Sequence, residues 1–253
     1  MTALRFRRTL GTLALAPLAL ALAACGGTED GSGPPKGEAI AKIAPPAGKA
    51  WADVIEETAE GGMRMGNPDA PIKLIEYGSL SCPGCAKLAK DGFAPLVTNY
   101  IASGRVSFEF RSFAIHPQDV PLTVLVRCSS KEAFFPLVEQ IYGNFEAINA
   151  AFNDEATMQR VQASMQLPAQ QRWIAFAETI GYTPFFAQRG VAVDQAKACL
   201  ADLGKAKQVA DFAQKYSTEN NVTGTPTLEV NGTRLDDSSW NGLEVALQNA
   251  GAR

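Results

Sequence analysis

Ser81-Cys82-Pro83-Gly84-Cys85 stands between two stretches of different character, and its reading decides the fold. Before it, Ile72-Lys73-Leu74-Ile75-Glu76-Tyr77 is β-prone and is bounded by Asn67-Pro68-Asp69-Ala70-Pro71 and Gly78, the pattern of a strand between turns. After it, Ala89, Phe93, Val97 and Tyr100 recur at close to helical spacing. Pro95 is expected to kink that helix. Two cysteines three apart at a helix start lie on one face, one turn apart, near enough to be bonded. Pro83 suits the first turn, where its missing N–H costs nothing. Cys82 would then meet unpaired backbone N–H groups and the positive end of the helix dipole, which stabilise a thiolate. Cys85, one turn inside, would resolve the mixed disulfide that the thiolate forms. The other readings are half of a zinc site and an inert bridge. Zinc asks for four ligands, and this chain has one histidine and no second C-x-x-C. No metal and no cofactor is expected.

Downstream, Val106, Phe108 and Phe110 alternate with Ser107, Glu109 and Arg111, the period of a strand. Residues 117–203 read as helical throughout, with Phe134, Leu137, Val138, Ile141, Tyr142 and Phe145 on one apolar face taken as core packing. A further amphipathic helix is expected over 205–220. Residues 227–230, the turn Asn231-Gly232 and residues 233–235 form a strong hairpin signal, and a last helix follows over 239–249.

Upstream, Arg5, Arg7 and Arg8 precede an apolar run over 10–22 that Pro17 interrupts, and then come Ala23, Ala24 and Cys25. A basic start, a short apolar core and small residues before a break read as a secretory signal over residues 1–24, too short for a membrane span. Leu22-Ala23-Ala24-Cys25 resembles the lipobox of bacterial lipoproteins, which implies that Cys25 is lipidated and begins the mature chain. An ordinary cleaved signal with an incidental cysteine is the other reading. Residues 25–62 are expected to form a Gly/Pro/Ala-rich tether, flexible over 26–33 and stiffer at Pro34-Pro35 and Pro45-Pro46, with a short helix over 50–59.

The order strand, CPGC, helix, strand, long helical insertion, then Gly224-Thr225-Pro226-Thr227 before a closing hairpin and helix resembles the DsbA-like thiol–disulfide oxidoreductases. The resemblance covers about residues 63–253. It implies an α/β, thioredoxin-like fold with an inserted α-helical domain: a first part at 63–118, the insertion at 119–203 and a second part at 204–253. It matches Cys82 to the family's exposed nucleophile, Cys85 to its buried partner, Pro226 to the cis-proline facing the disulfide, and Thr225 to the residue whose backbone receives substrate. Glu76 falls where the family often has a buried acid. By alternation it shares a face with Ile72 and Leu74, so it should be desolvated, with a raised pKa, and able to relay a proton for Cys85. A strand-end glutamate reaching solvent is the competing reading. The family's strongest oxidases have a histidine between the cysteines; Pro83-Gly84 supplies no cation, which should leave the Cys82 thiolate less stabilised. The single histidine, His116, reads as a loop residue.

Cys128 and Cys199 both fall in the helical stretch, and in an oxidising compartment two such cysteines are more often a structural bridge than buried thiols. With 23 basic against 26 acidic side chains, the chain lacks the basic surplus of a nucleic-acid binder. The expected function is disulfide exchange with unfolded or cysteine-containing exported proteins, recycled by a membrane redox partner, in the periplasm and anchored to a bacterial membrane, inner or outer, through Cys25. The alternatives are a reductase or isomerase kept reduced by a membrane electron donor, and a thioredoxin-fold lipoprotein that only binds.

Overall fold

The computed structural model describes residues 37–253. The expected signal segment, the lipid cysteine Cys25 and the first part of the tether lie outside the described residues. Six strands form one mixed sheet: β1 (Ile55–Glu57), β2 (Met63–Gly66), β3 (Ile72–Gly78), β4 (Val106–Ser112), β5 (Thr227–Val230) and β6 (Thr233–Arg234), in the order β1-β2-β4-β3-β5-β6. β3 and β4 are parallel, with Leu74 opposite Phe108 and Glu76 opposite Phe110, and α1 (Pro83–Pro95) crosses between them. β5 runs antiparallel to β3, which sets Glu76 opposite Leu228. The Asn231-Gly232 turn closes the β5–β6 hairpin with φ of 50° and 79°, the left-handed pair such a two-residue turn requires.

Both faces of β4 are covered, so the alternation of Ser107, Glu109 and Arg111 marks a second packed layer rather than a wet one. On one face, Phe108 and Phe110 join Phe93 of α1 and Phe134 and Phe135 of α3 (Phe134–Gly143), with ring centroids 5.6 Å apart for Phe108–Phe135. On the other, Arg111 pairs with Glu109 at 2.9 Å and donates to the Tyr77 hydroxyl at 3.0 Å. The helix from Leu203–Thr218 brings Tyr216 to within 5.2 Å of the Tyr77 ring on that face. A charged strand residue is thereby buried with its charge matched.

Between β4 and the Leu203–Thr218 helix lie seven α-helices: α2 (Asp119–Val126), α3, α4 (Phe145–Asn149), α5 (Glu155–Met165), α6 (Ala169–Ile180), α7 (Tyr182–Ala187) and α8 (Val193–Ala201). Asp202 ends this run by capping the next helix, accepting from the backbone N–H of Gly204 at 2.8 Å. Cys128, just after α2, is disulfide-bonded to Cys199 in α8, joining positions 71 residues apart. The last helix, Trp240–Asn249, is capped by Ser239.

Three local expectations are corrected. The helix expected over 50–59 is absent: a single 3-10 turn at Trp51–Asp53 leads into β1, with Ile55 opposite Met65. A ten-residue helix is marginal alone, whereas the free edge of β2 offers backbone partners and a buried place for Ile55. The later part of the expected tether is part of the domain, with backbone bonds from Gly37 to Asn249, Ile40 to Gly251 and Ile43 to Ser103. Gly104 permits this approach: a Cβ there would lie 2.4 Å from the Ile43 carbonyl oxygen, at a φ of +73°. Pro95 marks a change of winding, because the chain passes from α1 directly into π-helical turns at Leu96–Ile101.

Candidate active site

Three segments meet at the N-terminus of α1. Cys82 occupies the N-cap in an extended conformation, and Pro83 begins the helix. Its Sγ receives the Cys85 backbone N–H at 3.5 Å and, as a thiol, donates to the Thr225 carbonyl oxygen at 3.3 Å. The Thr225–Pro226 peptide bond is cis. A Cβ at Gly84 would lie 3.1 Å from Pro226 Cδ and 3.6 Å from Cys82 Sγ, so the proline packs directly over the C-x-x-C turn.

The two sulfurs differ in acidity. Donation from the Cys85 thiol first, and then from backbone N–H groups of Cys85 and Gly84, lowers the Cys82 thiol to about 5, against the opposing effect of its burial. Cys85 is pushed well up, by burial first, then by the hydrogen bond its thiol gives Cys82 and by the neighbouring Glu76 and Cys82 charges. Cys82 keeps 7% of its surface open and Cys85 none, so "exposed nucleophile" holds only by comparison. A missing histidine between the cysteines leaves no cation there, yet hydrogen bonds alone hold the Cys82 thiolate at low pH.

Glu76 lies at the far end of β3, beneath the pair, 7% exposed. Burial, and secondarily the Cys82 and Glu139 charges, raise its carboxyl to about 8. Between pH 5 and 8 it is therefore protonated, in reach of Cys85's electrostatic field, and able to act as acid or base.

Several groups escaped the sequence. Asp119, at the start of α2 and 1% exposed, accepts from Ser79 Oγ at 2.9 Å, Ser81 N at 3.0 Å, Ile115 N at 3.1 Å and His116 N at 3.0 Å. His116 Nδ1 is 3.1 Å from Ser81 Oγ, which puts this loop histidine beside the residue preceding Cys82. Tyr142 of α3, assigned to the apolar stripe, donates its hydroxyl to the Ser79 carbonyl at 3.1 Å, an oxygen that also accepts the Cys82 N–H. These bonds lock the β3–α1 loop against the β4–α2 loop and so position Cys82. An acid in the first turn after His116-Pro117 was the available signal, but it reads as an ordinary dipole partner. Among the described residues no cluster of three or more His, Cys, Asp or Glu is placed to hold a metal, and no helix is long and apolar enough to cross a membrane.

A family model described as thioredoxin matches residues 58–249. A Rickettsia bellii protein named as a candidate protein-disulfide oxidoreductase is 25% identical over 191 residues, covering 76% of this chain; the chain spans 65% of that relative's length. The solved protein-disulfide isomerase from Novosphingobium aromaticivorans superposes with a TM-score of 0.67 at 25% identity, covering 73% of this chain and 94% of that one. Wolbachia pipientis alpha-DsbA1 shares the fold, with a TM-score of 0.54 at 18% identity over 76% of this chain and 92% of that one.

Proposed function

Because the chain belongs to the thioredoxin family, in its DsbA-like form with helices inserted in the fold, we propose that it is a thiol–disulfide oxidoreductase acting on cysteine-containing proteins. The observation that supports this most is the split in acidity at one helix terminus: a Cys82 thiol lowered to about 5 beside a Cys85 thiol pushed well up. In the oxidised pair, a substrate thiolate attacks Cys82 Sγ. The Cys82–Cys85 bond breaks, and Cys85 leaves as a thiolate that takes a proton from Glu76. The second substrate thiolate then attacks the mixed disulfide and expels Cys82, which leaves readily because its thiolate is stable. Substrate is oxidised and the pair reduced. Thr225, held against Cys82, offers backbone groups to an extended substrate segment, which gives affinity without demanding sequence.

A stable Cys82 thiolate stabilises the reduced pair and so favours the oxidising direction. Pro83-Gly84, without a cation, favours the reductase or isomerase direction, in which a membrane donor keeps the pair reduced. The export signal and lipobox of the sequence support a periplasmic site of action, an anchor at Cys25 and a membrane redox partner. The experiment is equilibration of the Cys82–Cys85 pair with glutathione, together with exchange assays on a reduced, unfolded protein. A pair more oxidising than the glutathione pool supports the oxidase, and a more reducing one supports the reductase. Exchange that survives Cys82→Ser, or a pair inert to both, would overturn the proposal.

A further inference from the structure

Glu76 is sealed beneath the redox pair, so any proton it gives to Cys85 must be replaced from solvent by some route. A cavity of about 30 Å³ adjoins it, lined mainly by apolar side chains such as Leu74, Phe93, Phe108 and Leu228. The only carboxyl and hydroxyl groups in that lining come from Glu76, Glu139 and Tyr142. A second, open groove of about 730 Å³ runs between α1 and the α3–α4 corner. Three residues line both spaces: Ala89, Glu139 and Tyr142. Ala89 has no polar side chain. The Tyr142 hydroxyl is committed to the Ser79 carbonyl and is raised far beyond the neutral range. Glu139 is left as the one acid that spans the wall.

We propose that Glu139 is the proton outlet of the active site, passing a proton between Glu76 in the inner cavity and water in the α1–α3 groove. This rests on the reading of Glu76 as the proton donor to Cys85. At about 30 Å³ the cavity that both residues line has room for a water. When Cys85 leaves as a thiolate, Glu76 loses its proton to it. Glu139 then reprotonates Glu76 and recovers a proton from the groove; the reverse sequence serves the opposite direction of exchange. No further oxidant or reductant enters. Burial raises Glu139 to about 7, so at neutral pH it is present in both forms, as a shuttle requires. The charged and titratable groups that face it are Glu76 from β3, Lys87, Lys90 and Asp91 from α1, Tyr142 from its own helix and Glu146 from α4. Lys87 is paired with Asp91, and among the described residues Glu139 has no ion-pair partner.

The test is rapid-mixing measurement of the exchange rate as a function of pH and buffer concentration for native protein, Glu139→Gln, Glu139→Asp and Glu76→Gln. Removing this carrier is worth on the order of ten-fold, below the roughly hundred-fold or more of a positioned general acid, because Glu139 only relays the proton that Glu76 delivers. Glu139→Gln should slow exchange about ten-fold near pH 7 in dilute buffer, leave the Cys82 titration in place, and recover as imidazole is added to the groove. Glu139→Asp should recover part of the rate without imidazole. Glu76→Gln should be slow and insensitive to imidazole. A Glu139→Gln rate equal to the native one, or slow but indifferent to imidazole, would overturn the outlet while leaving Glu76 as donor if Glu76→Gln is slow. A Glu76→Gln variant at the native rate would overturn the donor reading and the outlet with it.

Discussion

Glu76→Gln should make this protein more stable and less active at the same time. The folded carboxyl titrates at about 8 against an ordinary value of 4.5, and one pH unit corresponds to about 1.36 kcal/mol. The sign follows from proton binding. Below pH 4.5 both folded and unfolded chains hold the proton, and Glu76 costs nothing through ionisation. Between pH 4.5 and 8 the unfolded chain has lost a proton that the folded chain keeps, so stability falls as pH rises. Above 8 the loss levels off. Its size is about 5 kcal/mol there and about 3 kcal/mol at pH 7. Glutamine keeps the shape and cannot ionise, so the variant should gain up to about 3 kcal/mol at pH 7, less whatever its amide loses by burial. For a domain of this size that corresponds to a rise in Tm of about 6–12 °C. The assay is chemical unfolding of both proteins, in the reduced state, at closely spaced pH values from 4 to 9. Cys82, lowered to about 5, adds an opposite slope to both proteins alike, so the difference between them is what is read. Superimposable curves, or a difference that does not grow between pH 5 and 8, would refute the buried, protonated Glu76. Exchange rates measured on the same samples should fall even as stability rises, since the proton for Cys85 is gone.

In the reduced protein, alkylation rate against pH should report a Cys82 thiol near 5, with Cys85 unreactive below pH 9; equal reactivity would contradict the split. Cys85→Ser should accumulate mixed disulfides with substrate proteins, visible on non-reducing gels, whereas Cys82→Ser should form none. Replacing both Cys128 and Cys199 by Ala reopens a loop of 71 residues, which the chain-entropy model values at about 4 kcal/mol; unfolding should fall by that order while the potential of the redox pair stays in place. Asp119→Ala leaves buried donors of Ser79, Ser81, Ile115 and His116 without their acceptor, costing about 3 kcal/mol in unfolding, and should broaden the NMR signals of the β3–α1 loop.

The strand, the C-x-x-C turn and the hairpin were legible because each is written in a few adjacent residues. Pro83 and the spacing of Cys82 and Cys85 place one sulfur at a helix start whatever the rest of the chain does, and Asn231-Gly232 admits few turns other than a hairpin. The reading of Glu76 needed one step more, the two-residue period of β3, and that period survives because Leu74 and Glu76 both face α1 and α3. Where a segment's fate depended on a distant partner, local reading failed. Residues 50–59 read as a short helix, and only the open edge of β2 makes Ile55 a strand residue.

The sequence by itself therefore determined where the candidate chemistry lies: two thiols at a helix terminus, an acid six residues before the first of them, and a proline from the other end of the chain. The tertiary structure alone decided how acidic those atoms are and which further acids line the space beside them. Acidity depends on burial and on partners from elements far apart in sequence, such as the Thr225 carbonyl that accepts from the Cys82 thiol, 143 positions away. In the same way Asp119 and Tyr142 look like a helix-start acid and a member of an apolar stripe, and Glu139 carries no local signal, until α2 and α3 pack beside the β3–α1 loop. Desolvation is a property of the packed whole, and no local pattern contains it.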